Sequence, residues 1–120
     1  MTAASFRVSE DGGVVIGALA GEVDLANAVD LERQIVDAVP NHASGLVLGL
    51  GDVTYLDSSG IRMVLSLAGR LRWRGQDFVL AAPPGARCRR VLALAGVEGS
   101  VPLAGSEAEA RAMIGATPIG

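Results

Sequence analysis

Apolar residues in this chain cluster in short runs that are typical of strands. Continuous apolar runs at residues 45–50 and 78–82 predict strands covered on both faces of a sheet. Two earlier strand-like segments, at residues 5–9 and 14–21, flank the sequence E-D-G-G. Asp-Gly-Gly at that place predicts a β-hairpin, because glycine accepts the positive φ that a tight turn requires.

Four other segments space their apolar residues by three or four positions, as one face of a helix does. In the first of them, Asp24 is a candidate N-cap residue, because its carboxylate can accept a free backbone N–H bond. The predicted helices run from Asp24 to Pro40, from about Ser59 to Arg74 before Gly75, from Pro84 to Gly96, and from Ser106 onward.

These elements follow one another in the order β-β-α-β-α-β-α-β-α, with a short last strand at residues 100–103. Strands that alternate with helices pair in parallel through right-handed crossovers, whereas the opening hairpin is antiparallel. Pro102 lacks a backbone donor and restricts the last strand to an edge. We therefore expect one α/β domain over residues 1–120, a mixed, mainly parallel sheet with an N-terminal β-hairpin and about four helices. The last few residues are expected to form a flexible tail.

Composition places the chain among small globular proteins. Its 120 residues are enough for one domain, and with 3% aromatic residues the core must consist of Val, Leu, Ile and Ala. No apolar run approaches the ~20 residues that span a bilayer, and residues 1–9 lack the apolar centre of a secretory signal. Cys88 is the single cysteine, which excludes an internal disulfide. We expect a cytoplasmic protein without a membrane partner.

The charged residues are unevenly distributed along the chain. The net charge of −3 argues against a nucleic-acid partner, since a phosphate backbone attracts basic proteins. Residues 1–57 hold nine acids and two arginines, whereas residues 58–120 hold four acids and eight arginines. This asymmetry predicts two faces of different electrostatic potential.

One polar cluster stands where a predicted strand gives way to a predicted helix. It reads Asp57-Ser58-Ser59-Gly60, and it lies beyond the carboxyl end of its strand, where open α/β sheets place their sites. Asp57 or Ser58 can cap the helix, and Gly60 is expected to leave the approach to the first amides uncrowded. A phosphate on Ser58 would also be stabilised at a helix N-terminus. Local chemistry alone favours the simple cap.

Other candidate sites in the sequence are weak. His42 lies in the polar loop P-N-H-A-S-G, and with one histidine a Ser-His-Asp triad is poorly supported. Cys88 falls on the apolar stripe of a predicted helix and is interpreted as a core residue. A chain without lysine has no Walker motif, and the spacings of metal ligands are absent. We expect no cofactor, no metal and no catalytic residue.

Three segments together resemble the STAS domain family of bacterial anti-sigma factor antagonists. The sequence V-T-Y-L-D-S-S-G-I-R-M-V-L, residues 53–65, is similar to the family's strand, Asp-Ser-Ser/Thr-Gly loop and apolar helix. L-A-G-E-V-D-L-A-N-A resembles the Gly-Glu-Leu-Asp segment that follows the family's second strand. R-C-R-R-V-L-A-L-A-G-V resembles its third helix. The resemblance covers nearly the whole chain, although Arg62 and Met63 stand where many members have small residues.

The resemblance implies a phosphorylation switch and not an enzyme. It places the phosphate on Ser58, with Asp24, Asp57, Ser59 and Gly60 around the phosphorylation loop. The implied partners are an anti-sigma factor that is also a serine kinase, which the unphosphorylated form binds to release a sigma factor, and a protein phosphatase. A stressosome or transporter-associated STAS module is an alternative within the family. A small hydrolase with Ser58 as its nucleophile is an alternative of another class.

One side of the second predicted helix carries residues that packing in the core does not explain. At 100° per residue, the predicted core stripe contains Ile61, Val64, Leu65, Ala68 and Leu71. Met, Trp and Arg are enriched in protein interfaces, so the opposite side is either a solvated face or a partner-binding surface. That side is predicted to carry Arg62, Met63, Ser66, Arg70 and Trp73.

Overall fold

The fold is a five-stranded sheet with helices on both faces. It was obtained as a computed structural model that describes residues 3–115, and the predicted flexible tail lies outside the described residues. The strands are β1 (Ser5–Asp11), β2 (Val14–Val23), β3 (Gly45–Leu56), β4 (Asp77–Ala81) and β5 (Leu103–Ala104). The helices are α1 (Ala28–Ala38), α2 (Ser58–Trp73), α3 (Cys88–Leu94) and α4 (Glu107–Met113), with a 3-10 turn at Val97–Gly99.

The strands lie in the sheet in the order of the sequence, β1-β2-β3-β4-β5. β1 is antiparallel to β2, and each later strand is parallel to the one before it. This confirms the predicted hairpin, the predicted order of elements and the mixed, mainly parallel sheet. α1, α2 and α3 pack on one face, as right-handed crossovers between successive parallel strands require.

Two apolar cores lie on the two faces of the sheet. The larger one joins Leu48 of the central strand to Leu31 of α1, Leu67 of α2 and Leu92 of α3. The smaller one packs Val47, Val79 and the C-terminal helix around Ala110 and Ile114. Aliphatic residues supply nearly all of both cores, as the low aromatic content predicts.

The central strand is longer than the sequence pattern indicated. β3 was predicted over residues 45–50 but continues to Leu56, and its pairing with β4 ends at Gly49. Its second half pairs with β2 through two register shifts, which are characteristic of β-bulges. Gly51 and Asp52 interrupt the apolar run after Leu50, although the sequence V-T-Y-L before Asp57 was itself strand-like. This extension places Asp57 and the start of α2 beyond the end of β4.

The remaining elements differ from expectation at their ends. The last strand is Leu103–Ala104, and the predicted third helix begins only at Cys88 after the turn that holds Pro84. α1 begins at Ala28, four residues after the predicted cap. Among residues 3–115 there is no helix long and apolar enough to cross a membrane.

Cys88 is buried against the central strand. Its Sγ donates to the backbone oxygen of Leu50 at 3.3 Å, and the thiol is a core group as predicted. Burial raises the pKa of the Cys88 thiol above its ordinary value of 9.0, because the apolar surroundings disfavour the thiolate.

This burial predicts a specific loss of stability in alkali. The unfolded chain releases the Cys88 proton at a lower pH than the folded chain. The contribution of the protonated thiol to the free energy of unfolding is therefore complete below pH 9.0, and it is lost as pH rises above that value towards the higher pKa of the folded state. The extra loss is at most about 1.4 kcal/mol per pH unit. Urea unfolding of the parent and of Cys88→Ala at pH 7 and pH 10 measures it. Equal pH dependence in the two proteins would contradict the prediction.

Candidate functional site at the start of helix α2

Two neighbouring strands end side by side at the candidate site. Val23 of β2 and Leu56 of β3 are register partners, and the Asp57 N–H donates to the Val23 oxygen at 3.3 Å. Asp24 and Asp57 are therefore the first residues after two adjacent parallel strands. The site lies at the carboxyl edge of the sheet, where the sequence predicted it.

Asp57 is the residue that caps α2. Its Oδ1 accepts the N–H groups of Ser59 at 2.8 Å and Gly60 at 3.1 Å, and its backbone oxygen accepts the N–H of Ile61 at 3.0 Å. Ser58 is then the first helical residue. It is exposed, and its hydroxyl takes no part in the helix cap. Of the two residues predicted to cap this helix, the acid does so and leaves the hydroxyl facing solvent.

Gly60 faces the core and not the solvent. A Cβ at this position would overlap Leu56 Cδ1 and would stand 3.2 Å from Val23 Cγ1. The glycine therefore allows the first turn of α2 to lie directly on the ends of β2 and β3. The expected reason for this glycine, free access to the helix amides, is wrong, because its missing side chain makes room for packing.

Asp24 does not cap α1, because the helix begins at Ala28 and its N-cap position is occupied by Asn27. Asp24 instead forms the turn before the helix: its Oδ1 accepts the N–H of Ala26 at 2.9 Å. Asn27 holds the same turn, since its Oδ1 accepts the Asp24 N–H at 3.0 Å and its Nδ2 donates to the Glu22 oxygen at 2.8 Å. Sequence reasoning missed Asn27, whose preference for turns was the available signal.

Helix α2 is rotated relative to the predicted stripe. Met63 is only 2% exposed and packs in the core, so its assignment to the outer face is wrong. Leu65, expected in the core, is 40% exposed. The rotation follows from the close contact of Gly60 with the strands, which turns the glycine side of the helix inward. The buried stripe contains Gly60, Met63, Val64, Leu67, Ala68 and Leu71.

Two residues predicted to bind a partner are engaged within the chain. The Ser66 hydroxyl donates to Glu32 Oε2 at 2.7 Å, and Arg70 Nε lies 2.9 Å from the same oxygen. Glu32 thus ties α1 to α2. Trp73 is 91% exposed, but it stands at the last residue of α2, about 22 Å along the axis from the first.

A groove of about 200 Å³ opens between α1 and α2 and reaches Ser59, the residue next to Ser58. Leu25 and Val29 stand at its rim and are 77% and 69% exposed. Sequence reasoning missed both, although Val29 was visible as an apolar residue away from the Leu31 and Ile35 stripe of α1. The groove is lined by Leu25, Ala28, Val29, Glu32, Ser59, Arg62, Met63 and Ser66.

The charges around the site are mixed. Asp24 and Asp57 are acidic, whereas Arg62 on the next turn of α2 is exposed and has no ion pair among residues 3–115. His42 precedes β3, while Ser58 follows the far end of the same strand. The described part of the chain therefore places no histidine beside Ser58, and it has no group of three potential metal ligands.

Comparisons with known proteins agree with this geometry. A family model described as "Mlab, STAS domain" matches residues 6–105. A Bordetella bronchiseptica protein assigned as the anti-sigma factor antagonist BtrV is 36% identical over 107 residues, 88% of this chain and 91% of the relative. The anti-sigma-F factor antagonist RsfB of Mycobacterium tuberculosis is 29% identical over 91 residues, 76% of this chain and 73% of that one. The crystal structure of an anti-sigma factor antagonist from Mycobacterium paratuberculosis superposes with a TM-score of 0.82, at 26% identity, over 93% and 94% of the two chains.

The packing of Gly60 predicts opposite effects for two glycines of α2. Gly60→Ala should destabilise the domain by ~1–3 kcal/mol, because the new methyl group overlaps Leu56. Gly69→Ala is the matched control, since nothing lies within 4 Å of its Cβ position, and it should stabilise the exposed helix by up to ~1 kcal/mol. Thermal unfolding followed by circular dichroism measures both. If the two variants melt at the same temperature, the proposed packing at Gly60 is wrong.

Proposed function

The chain belongs to the STAS domain family, and on that basis we propose that it acts as an anti-sigma factor antagonist controlled by phosphorylation of Ser58. The unphosphorylated form binds an anti-sigma factor that is also a serine kinase, and a sigma factor is released. A protein phosphatase restores the binding form. The chain itself is a binding switch and not an enzyme, and it acts in the cytoplasm.

The observation that carries this proposal is the exposure of the Ser58 hydroxyl at a rigid position. Asp57 satisfies the helix amides, so Ser58 is free to enter the active site of another protein. Helix geometry fixes its backbone, and the contact of Gly60 with the strands holds that helix in place. A substrate hydroxyl on a rigid element is well oriented for in-line attack.

The chemistry of the step is assigned to the partner. The Ser58 oxygen forms a bond to the γ-phosphorus of ATP while the bond from that phosphorus to the ADP oxygen breaks. We assign the hydroxyl proton to a base of the kinase, as in other protein kinases, where an aspartate of the catalytic loop accepts it. ATP and Mg²⁺ are bound by the kinase, so this chain requires no cofactor of its own.

The groove beside Ser58 is the surface that we propose for the partner. Leu25 and Val29 offer exposed apolar contacts, and Arg62 offers a charge that has no ion pair among residues 3–115. A phosphate on Ser58 adds roughly −1.5 to −2 charges at neutral pH. Covering that charge with a protein surface would remove it from water at a cost of several kcal/mol. Phosphorylation therefore opposes binding without any change of fold.

The first test concerns the residue that is modified. The cognate anti-sigma kinase is first isolated by its binding to the Ser58→Ala variant. Incubation of the parent protein with that kinase, ATP and Mg²⁺ should then place one phosphate on Ser58. Ser59→Ala is the matched control and should still be modified, because Ser59 is half-buried and its N–H is held by Asp57. Phosphopeptide mapping gives the result. Phosphate on Ser59 or Thr54, with Ser58→Ala still modified, would show that the residue is wrongly assigned.

The second test concerns the partner surface. Leu25→Ser and Arg62→Glu should each weaken binding to the anti-sigma factor by ~1 kcal/mol or more while the domain stays folded. Leu94→Ser and Arg72→Glu are matched controls, because they change exposed residues of the same types outside the groove. Calorimetric titration compares the four variants. If the controls weaken binding and the groove variants do not, the surface lies elsewhere on the chain.

A further inference from the structure

We propose that Arg62 holds the phosphate of phosphorylated Ser58, so that modification both adds charge and withdraws Arg62 from the partner surface. This inference rests on the proposed function, because it describes the modified form of the same site. It assigns to this chain an internal counterion for the phosphate. The assignment comes from the hydrogen bonds at the start of α2 and from the charges around it.

Three of the first four helix amides of α2, those of Ser59, Gly60 and Ile61, are already occupied. The N–H groups of Ser59 and Gly60 donate to Asp57 Oδ1, and the N–H of Ile61 donates to the Asp57 backbone oxygen. A phosphate on Ser58 would have to displace the Asp57 carboxylate to reach them. The two anions would also repel each other at close range. A cation close to the phosphate would offset the repulsion from Asp57.

Arg62 stands at the position where a helix places that cation. Ser58 and Arg62 both lie in α2 and are four residues apart, so their Cβ atoms are separated by about 5–6 Å. An anion four residues before a cation is the more favourable order on a helix. The guanidinium can also bind two phosphate oxygens at once.

The other charged groups near the site leave this role to Arg62. Arg70 of α2 is paired with Glu32 of α1, whose carboxylate is also bonded by Ser66. The arginines at the start of α3 also follow the carboxyl end of a strand, but they lie on a different helix from Ser58. Three acids flank the site, and Arg62 has no ion pair within residues 3–115. These acids are Glu22 at the end of β2, Asp24 in the following turn and Asp57 at the helix cap.

The pairing has a consequence for the partner. In the unmodified protein, Arg62 lines the groove and is free to bind an acidic group of the anti-sigma factor. In the modified protein the same guanidinium faces the phosphate. One covalent change then removes an attractive charge from the groove and adds a charge that must stay hydrated.

The test uses protein with phosphoserine incorporated at position 58 during translation, so that no kinase is required. The second pKa of this phosphate is followed by ³¹P NMR titration at low ionic strength. We expect that pKa to be lower in the phosphorylated parent than in phosphorylated Arg62→Gln by about 0.3 units or more, since a nearby cation favours the dianion. The difference should shrink at 1 M salt.

Arg72→Gln is the matched control, since it removes an exposed arginine of the same helix far from Ser58. It should titrate like the parent. If the parent and Arg62→Gln give the same phosphate pKa, the inference is overturned. Because the phosphate is installed without a kinase, this result is independent of whether a kinase modifies Ser58. A failed kinase assay would count against the proposed function alone.

Discussion

The contact between the first turn of α2 and the ends of β2 and β3 is the constraint on which the rest of the site depends. A side chain at Gly60 would collide with Leu56, so only glycine lets the helix approach this closely. The contact sets the rotation of α2, which buries Met63 and exposes Leu65. It also fixes the direction in which Ser58 faces. A short-range packing requirement thus determines which chemistry reaches the solvent.

The cap of α2 assigns helix capping and exposure of a hydroxyl to two different residues, which the sequence alone does not do. Either Asp57 or Ser58 could satisfy the helix amides, and the structure gives this task to the carboxylate. The hydroxyl is thereby released for chemistry. The same division occupies the Ser59 and Gly60 amides, which would otherwise be free donors at the helix N-terminus.

The α1–α2 contact shapes the surface beside that hydroxyl. Glu32 accepts from Ser66 and pairs with Arg70, which fixes the two helices next to each other and uses polar groups that otherwise look available. What remains exposed is an apolar rim, formed by Leu25 and Val29 at the start of α1.

Periodicity, turn residues and caps determined the order of the elements, the hairpin, the parallel pairing and the location of the Asp57–Gly60 cluster, because each is encoded by nearby residues. The sequence could not give the rotation of α2, since apolar residues occur on most of its circumference and several stripes fit equally well. It could not show that Ser66 and Arg70 bind α1, or that Asn27 holds the turn at Asp24. Those outcomes depend on which distant groups meet when helices pack on a sheet, and only the tertiary structure decides that.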